Sequence, residues 1–265
     1  MFAQAEKEGI TIPSLIDSKQ LWTVNWNNSL NYAINLNTQL RLSVPLIFQS
    51  EQFDFTTKDT GAPYTPPEGM EGFFHQDRRV LGFGDTTLAG QYFHFFPKAV
   101  LGAEVGAQIP TGKIDSENYN FAEYRRGIGT GTFVPTAKLM MFSRDTKRGW
   151  IGSLGAQTPL YDNKDAYRTG YSLNGDLGYW LRWNKDYLSM FQLMSSHQTG
   201  DTWHGLAISQ SRRSRVSLSL MQTGPLKDDF EWLLGIQQPV WIRVWEEEQK
   251  TIAKMTIFSF GLTWL

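Results

Sequence analysis

Three stretches of this 265-residue chain hold residue types able to do chemistry. "SSHQTGDTWH" (195–204) gathers Ser195, Ser196, His197 and His204, the material for a hydroxyl nucleophile with an imidazole base, although a third group orienting the ring would have to come from elsewhere. "GAQIPTGK" (106–113) has the outline of a phosphate loop, yet Ala107 stands where the first glycine belongs, Ile114 replaces the Ser/Thr, and no helix follows. "GIGTGT" (127–132) reads as a glycine-rich strand that can curve rather than as a phosphate cradle. The four histidines, His75, His94, His197 and His204, show no metal-ligand spacing, and the absence of cysteine removes thiolate sites. No metal or cofactor is expected.

A second set of chemistry-bearing residues is scattered singly through apolar surroundings, and the question becomes what holds them. In "KAVLGAEVGAQIPTGK" (98–113), Ala99, Leu101, Ala103, Val105, Ala107 and Ile109 alternate with Val100, Gly102, Glu104, Gly106 and Gln108. That is the period of a β-strand. It returns in "WTVNWNNSLNYAI", where Trp22, Val24, Trp26, Leu30, Tyr32 and Ile34 oppose Thr23, Asn25, Asn27, Ser29 and Asn31. "TQLRLSVPLIFQ" sets Leu40, Leu42, Val44, Leu46 and Phe48 against Gln39, Arg41, Ser43 and Gln49. "FEWLLGIQQPVWIR" sets Phe230, Trp232, Leu234, Ile236, Val240 and Ile242 against Glu231, Gln237 and Arg243. No stretch carries a convincing helical period, so the fold class is all-β.

Twelve strands follow: 8–15, 21–34, 38–50, 82–95, 98–110, 129–142, 149–160, 169–183, 187–198, 213–223, 230–243 and 252–264. A further hairpin within 203–212 would make fourteen. Short connections (35–38, 96–99, 143–148, 184–186, 224–229) alternate with long polar ones (51–80, 111–127, 161–168, 199–212, 244–250), the layout of an antiparallel up-and-down transmembrane barrel. Composition agrees. Ten Trp, ten Tyr and seventeen Phe coexist with a mean hydropathy of −0.36, and no run approaches the roughly 18 apolar residues of a membrane helix. The net charge of −1 gives no reason to expect a nucleic-acid partner.

Energetics assigns the faces. An Arg or Lys facing lipid at mid-membrane costs roughly 2–4 kcal/mol, so the cations must face the lumen, and Arg41, Lys138, Arg182 and Arg215 all fall on the polar register. The lumen set is Arg41, Asp85, Gln91, Glu104, Gln108, Lys138, Arg168, Asp176, Arg182, Arg215, Glu231 and Arg243. Its six basic and four acidic members are expected largely to neutralise one another. Trp22, Trp150, Trp232 and Trp264 sit near strand ends on the apolar register, where an interfacial girdle belongs.

"GFGDTTLAGQYFHFFPKAVLGAEVGAQIPTGK" (82–113) resembles the G-x-G-D-x-x-L-x-x-x-Y … G-x-x-x-P-T-G-K hairpin of the outer-membrane barrels linked to the meta pathway of phenol degradation. "LNYAINLNTQLRLSVPL" (30–46) and "LLGIQQPVW" (233–241) look like other recurring patterns of that family. The resemblance implies a channel or uptake protein of the bacterial outer membrane, with no catalytic residues to carry over. The chain departs from it by ending Trp264-Leu265 rather than on an aromatic residue.

The sequence therefore predicts a single barrel over 6–265, with residues 1–5 a remnant of a secretory signal ending in Ala3-Gln4-Ala5. Its partners are outer-membrane lipid and a small hydrophobic or aromatic solute, and it is expected to be monomeric or weakly associating. Met70, Phe73 and Phe74, in the longest loop, are expected to fold into the mouth as a gate. Two alternatives stand beside this reading: an outer-membrane lipid hydrolase with its Ser/His site at the rim, and a purely structural barrel.

Overall fold

The computed structural model describes residues 15–65, 78–112, 128–184, 186–208, 211–227, 230–244 and 256–264. Every regular element among them is a strand: β1 (Leu15–Ala33), β2 (Thr38–Thr57), β3 (Arg78–Phe83), β4 (Thr86–Phe95), β5 (Ala99–Ile109), β6 (Val134–Ser143), β7 (Arg148–Gln157), β8 (Tyr167–Arg168), β9 (Ser172–Arg182), β10 (Leu188–Gln198), β11 (Thr202–Trp203), β12 (Leu206–Ala207), β13 (Arg213–Lys227), β14 (Phe230–Val244) and β15 (Ile257–Trp264). Twelve belong to one sheet, in the order β1-β2-β4-β5-β6-β7-β9-β10-β13-β14-β15 with β3 also beside β2. Neighbours on this path follow one another along the chain, which makes it an up-and-down meander. Of the expected first strand, 8–15, only Leu15 falls within the described residues. Segment 203–212 adds nothing to the large sheet. Instead β8, β11 and β12 form a small sheet of their own, with β11 and β12 joined by a tight turn at His204 and Gly205, both at positive φ.

The chain divides into two compact units: Met1–Asn28 with Val44–Asp85 and Thr111–Gly129, and Ser29–Ser43 with Thr86–Pro110 and Thr130–Leu265. In the first, β2 pairs with β3 from Leu46↔Phe83 to Glu51↔Arg78. The sequence predicts one strand over 82–95, but the ladder breaks at Gly84 and Asp85. Pro45 is the cause, since it has no N–H to give to a ladder. Its carbonyl accepts the Gly84 N–H at 2.8 Å, Thr111 donates to the Gly84 carbonyl at 3.3 Å, and the Asp85 carboxylate accepts the Gly112 N–H at 2.9 Å. A Cβ on Gly112 would stand 2.6 Å from Gly129 Cα and 2.8 Å from Asp85 Oδ1, so this clasp closes only over glycine.

In the second unit the registers run unbroken from β4 to β10, and the burial pattern is inside out. Among the described residues the buried apolar side chains are Ala89, Val134 and Tyr167, whereas Asp85, Gln91, Glu104, Asp201, Ser217 and Ser219 are buried polar ones. Large apolar residues lie open on the other face, Val105 at 69% and Leu139 at 62% exposure. In water such a surface would forfeit about 25 cal/mol for each Å² of apolar area left uncovered, and hydrocarbon removes that penalty. Trp150 packs edge-on to Tyr179 at 5.0 Å and Tyr187 lies 6.4 Å from Trp232, all near the short turns, as an interfacial girdle requires. The side chains of Trp22 and Trp264 lie outside the described residues. The short turns are closed by Asn and Asp side chains accepting backbone N–H groups two or three residues on, at Asn35, Asp145 and Asn184. The N–H groups of Lys147 and then Arg148 hold the Asp145 carboxyl below its ordinary range.

One register differs from the sequence pattern. Val216 pairs with Trp241 but Ser217 with Pro239, leaving Val240 as the extra residue of a β-bulge. Proline again explains it, because a central strand tolerates it where the ladder is already interrupted. Beyond the bulge the faces swap: Trp241 is 48% exposed, and Ile242 rather than Arg243 shares the face of Arg215.

Leu220 and Ser219 are adjacent in β13 and face opposite ways, at 43% and 9% exposure. Leu220→Arg is expected to lower folding stability in lipid vesicles by roughly 2–4 kcal/mol if it lies near the midplane. Ser219→Arg should fold like the parent. Urea titrations followed by heat-modifiable gel migration check this, and equal losses would mean the faces are misassigned.

Candidate functional site

The polar face of the second unit carries a cavity of about 420 Å³, and residues from β2 to β14 line it. Strand pairing arranges them in rows. One row runs Gln39, Gln91, Glu104, Lys138, Gly155, Asn174, Ser196, Arg215, each directly opposite the next on adjoining strands. Period-two alternation puts these residues on one face, and the antiparallel register puts them level.

At one end of the row the groups hold each other. Glu104, 5% exposed, accepts a hydrogen bond from Arg41 Nη2 at 2.9 Å and another from Gln91 Nε2, while Gln91 Oε1 accepts one from Gln39. A buried carboxylate needs this company, because desolvation penalises an unpaired charge heavily. Lys138 is the register partner of Glu104, yet neither it nor Arg215 has a carboxylate partner among the described residues. Asp176 also lines the cavity and accepts from Ser153 Oγ. Two buried groups there have no partner among the described residues, Arg41 Nε and the hydroxyl of Ser217, a residue 1% exposed. A hydroxyl left so costs about 1–3 kcal/mol.

Toward the short turns the same face becomes apolar. Phe93, Met140, Phe142, Ile151, Trp180, Met190 and Met221 occupy this register, all half-buried. They lie along the wall instead of standing across it. A Cβ on Gly102 would be 2.9 Å from the Phe93 ring and 3.2 Å from Met140 Cε, and one on Gly149 would be 2.9 Å from Trp180 Cζ2. Sequence reading missed this band because each member is a single apolar residue on a register otherwise polar. It also missed Ser217, which nothing distinguishes from its neighbouring serines.

The twelve residues expected on the lumen wall are distributed unevenly. Arg41, Glu104, Gln108, Lys138, Asp176 and Arg215 line the cavity, and Gln91 braces it from behind Glu104. Asp85 belongs to the clasp in the other unit. Arg168 lies in the small sheet, 3.3 Å from Asp162. Arg182 and Glu231 are exposed at the short-turn ends of β9 and β14. Arg243 corrects the expectation outright: the bulge places it opposite Ser214, on the face away from Arg215. The expected mutual neutralisation holds for Arg41 with Glu104 and does not extend to Lys138 or Arg215. Met70, Phe73 and Phe74 lie outside the described residues, as do His75 and Lys113.

The Ser/His segment does not assemble as the hydrolase alternative needs. Ser195 and Ser196 face opposite ways, Ser195 donates to the Gly175 carbonyl at 3.3 Å, and His204 stacks edge-on against Trp203 at 4.7 Å. His197 Nδ1 does lie 2.7 Å from a hydroxyl, that of Ser214, with no carboxylate among its hydrogen-bond partners in the described residues. The carboxylate nearest in sequence, Asp201, is fully buried and bonds Tyr167 Oη, the Gly170 N–H and Gln198 Nε2, each at 2.8 Å, so it ties the loop sheet together.

Against known families and curated proteins the chain finds no match. Among solved structures it is similar to the crystal structure of an outer membrane channel from Pseudomonas putida, with 13% sequence identity, a TM-score of 0.57 and 95% of each chain covered. The likeness shows the fold: an outer-membrane β-barrel.

Glu104→Ala would leave Arg41 and Gln91 without their acceptor, and is expected to lower stability by about 1–3 kcal/mol in urea titrations in vesicles. Lys138→Ala removes a side chain that no group among the described residues holds. Its effect should stay within about 0.5 kcal/mol.

Proposed function

We propose that this protein is a channel of the bacterial outer membrane that lets small, predominantly apolar or aromatic molecules cross through the barrel lumen, and that it is kin to the barrels linked to phenol degradation. The polar face is the lumen wall. The observation that carries the reading is the two-part lining of that face: a hydrated band with a cavity of about 420 Å³ beside a band of half-buried aromatic and Met side chains laid flat over glycines. A wall that only had to fill a core would bury those side chains against one another. A porin wall for ions or sugars would have no use for them. The opposite face meets lipid, and its open groove of about 440 Å³ between Trp150, Leu177, Phe191, Leu218 and Ile236 is nearly all apolar and suits acyl chains.

The kinship rests on the Gly-Asp and Pro-Thr-Gly pieces of the resembling hairpin. They are apart in sequence and clasp one another through Asp85, Thr111 and Gly112, which gives a structural reason for residues that no strand pattern demands.

The expressed protein should fractionate with outer membranes, migrate faster unboiled than boiled, and form channels in planar bilayers. Recovery as a soluble monomer without detergent would end the reading. In liposome-swelling assays, Phe142→Asn with Ile151→Asn should slow entry of small aromatic solutes several-fold relative to sugars of similar size. If both solute classes change alike, the apolar band plays no part in selection.

A further inference from the structure

We propose that the lumen cavity is a recognition site for organic anions, in which two cations, Lys138 and Arg215, draw in the carboxylate of a small apolar or aromatic acid. The assignment rests on the reading of this face as a solute route, and narrows the solutes from apolar molecules in general to those carrying one acidic group.

The argument begins with charge. The cavity is lined by the cations Arg41, Lys138 and Arg215 and the carboxylates Glu104 and Asp176. Glu104 is taken up by Arg41 and Gln91, and Asp176 accepts from Ser153, which leaves Lys138 and Arg215 without a protein anion among the described residues. They are not strays at a rim. Both lie in one row of the sheet, separated by Gly155, Asn174 and Ser196, all small and uncharged. A solute moving along this wall meets an ammonium and a guanidinium flanking a stretch of small uncharged side chains, and with Arg41, Lys138 and Arg215 against Glu104 and Asp176 the cations on the lining outnumber the carboxylates.

Buried polar atoms without partners supply a second, independent observation. Ser217, 1% exposed, lies on the next row and on the cavity lining, its hydroxyl unpartnered among the described residues, and Arg41 Nε is a second such group on the same lining. Buried polar groups in folded proteins are almost always paired. Both can donate, and a carboxylate with two oxygens and about four lone-pair sites is the acceptor that donors of this kind fit. The volume falls within the roughly 300–1,000 Å³ of small-molecule sites. Met194 on the lining, and Met140 and Phe142 beyond it, offer apolar contact that inorganic anions and sugars cannot use.

The test uses the full chain in planar bilayers and in detergent, with benzoate as the probe, benzyl alcohol as its neutral counterpart and inorganic phosphate as an anion without an apolar body. Under a KCl gradient the parent should show anion preference, and benzoate should reduce the KCl current at concentrations where benzyl alcohol and phosphate do not. Lys138→Gln and Arg215→Gln should each raise the half-blocking benzoate concentration about tenfold, what a charge-assisted hydrogen bond is worth. Ser217→Ala should raise it several-fold. Lys98→Gln, an exposed turn lysine, should leave it unchanged. Heat-modifiable migration confirms that each variant folds. Equal action of benzoate and benzyl alcohol, or indifference to Lys138→Gln and Arg215→Gln, overturns the site, and equal action of phosphate overturns its preference for an organic acid. Should no conductance form, the channel reading fails by itself. Calorimetric binding of benzoate to the detergent-solubilised protein, weakened by the same substitutions, then upholds the site, and absence of binding overturns it.

Discussion

In hydrocarbon a peptide N–H or C=O without a partner costs several kcal/mol, and no water is present to supply one. Everything else in this protein follows from meeting that constraint with strands. Once neighbouring strands are hydrogen-bonded, side chains can point only to one face or the other, and the register makes each paired residue level with a partner on the next strand. Glu104 thus stands level with a whole row, from Gln39 to Arg215. Two places where the ladder gives way, at Gly84 and at Val240, are places where a proline has withdrawn an N–H from it, and a third register shift, at Leu226, directly follows Pro225.

The constraint also explains why the polar face tolerates buried charge. A carboxylate in a soluble core competes with well-packed apolar alternatives and often loses to them. On this polar face it has amide neighbours on the same row, so Glu104 is held by Arg41 and Gln91 without an apolar rival for the position. Asp201 shows the other solution, a carboxylate sealed from solvent and satisfied by a phenol, a backbone N–H and an amide.

The alternation that produces the meander is plain in the sequence because it is local, two residues per repeat. Most strands accordingly begin and end within a few residues of where the pattern places them, and the polar register correctly groups Arg41, Glu104, Lys138, Asp176 and Arg215 on one cavity. What is not local is less legible. Arg243 sits two residues past a bulge, and a single inserted residue inverts every facing after it. Pro239 was the available signal. Asp85 looks like one more acidic residue on an alternating strand until Pro45, forty positions earlier, is seen to break the ladder beside it. The apolar band is hardest to read, since Met140 next to Met141 and Phe142 gives no alternation to follow, and only the pairing shows that Met140 and Phe142 share a face with Lys138.

The glycines beneath that band carry a consequence of their own. Where Phe93 and Met140 close over the strand, the room they use is that of the Cβ atom Gly102 lacks. Along the proposed route the calibre is therefore determined less by the side chains that border it than by atoms missing from the strands beside them. A single methyl group added at Gly102 would lift a ring toward the axis, and a larger residue would lift it further. Such a wall can be retuned in small steps, each changing bore while leaving the hydrogen-bond ladder and the lipid-facing surface as they are.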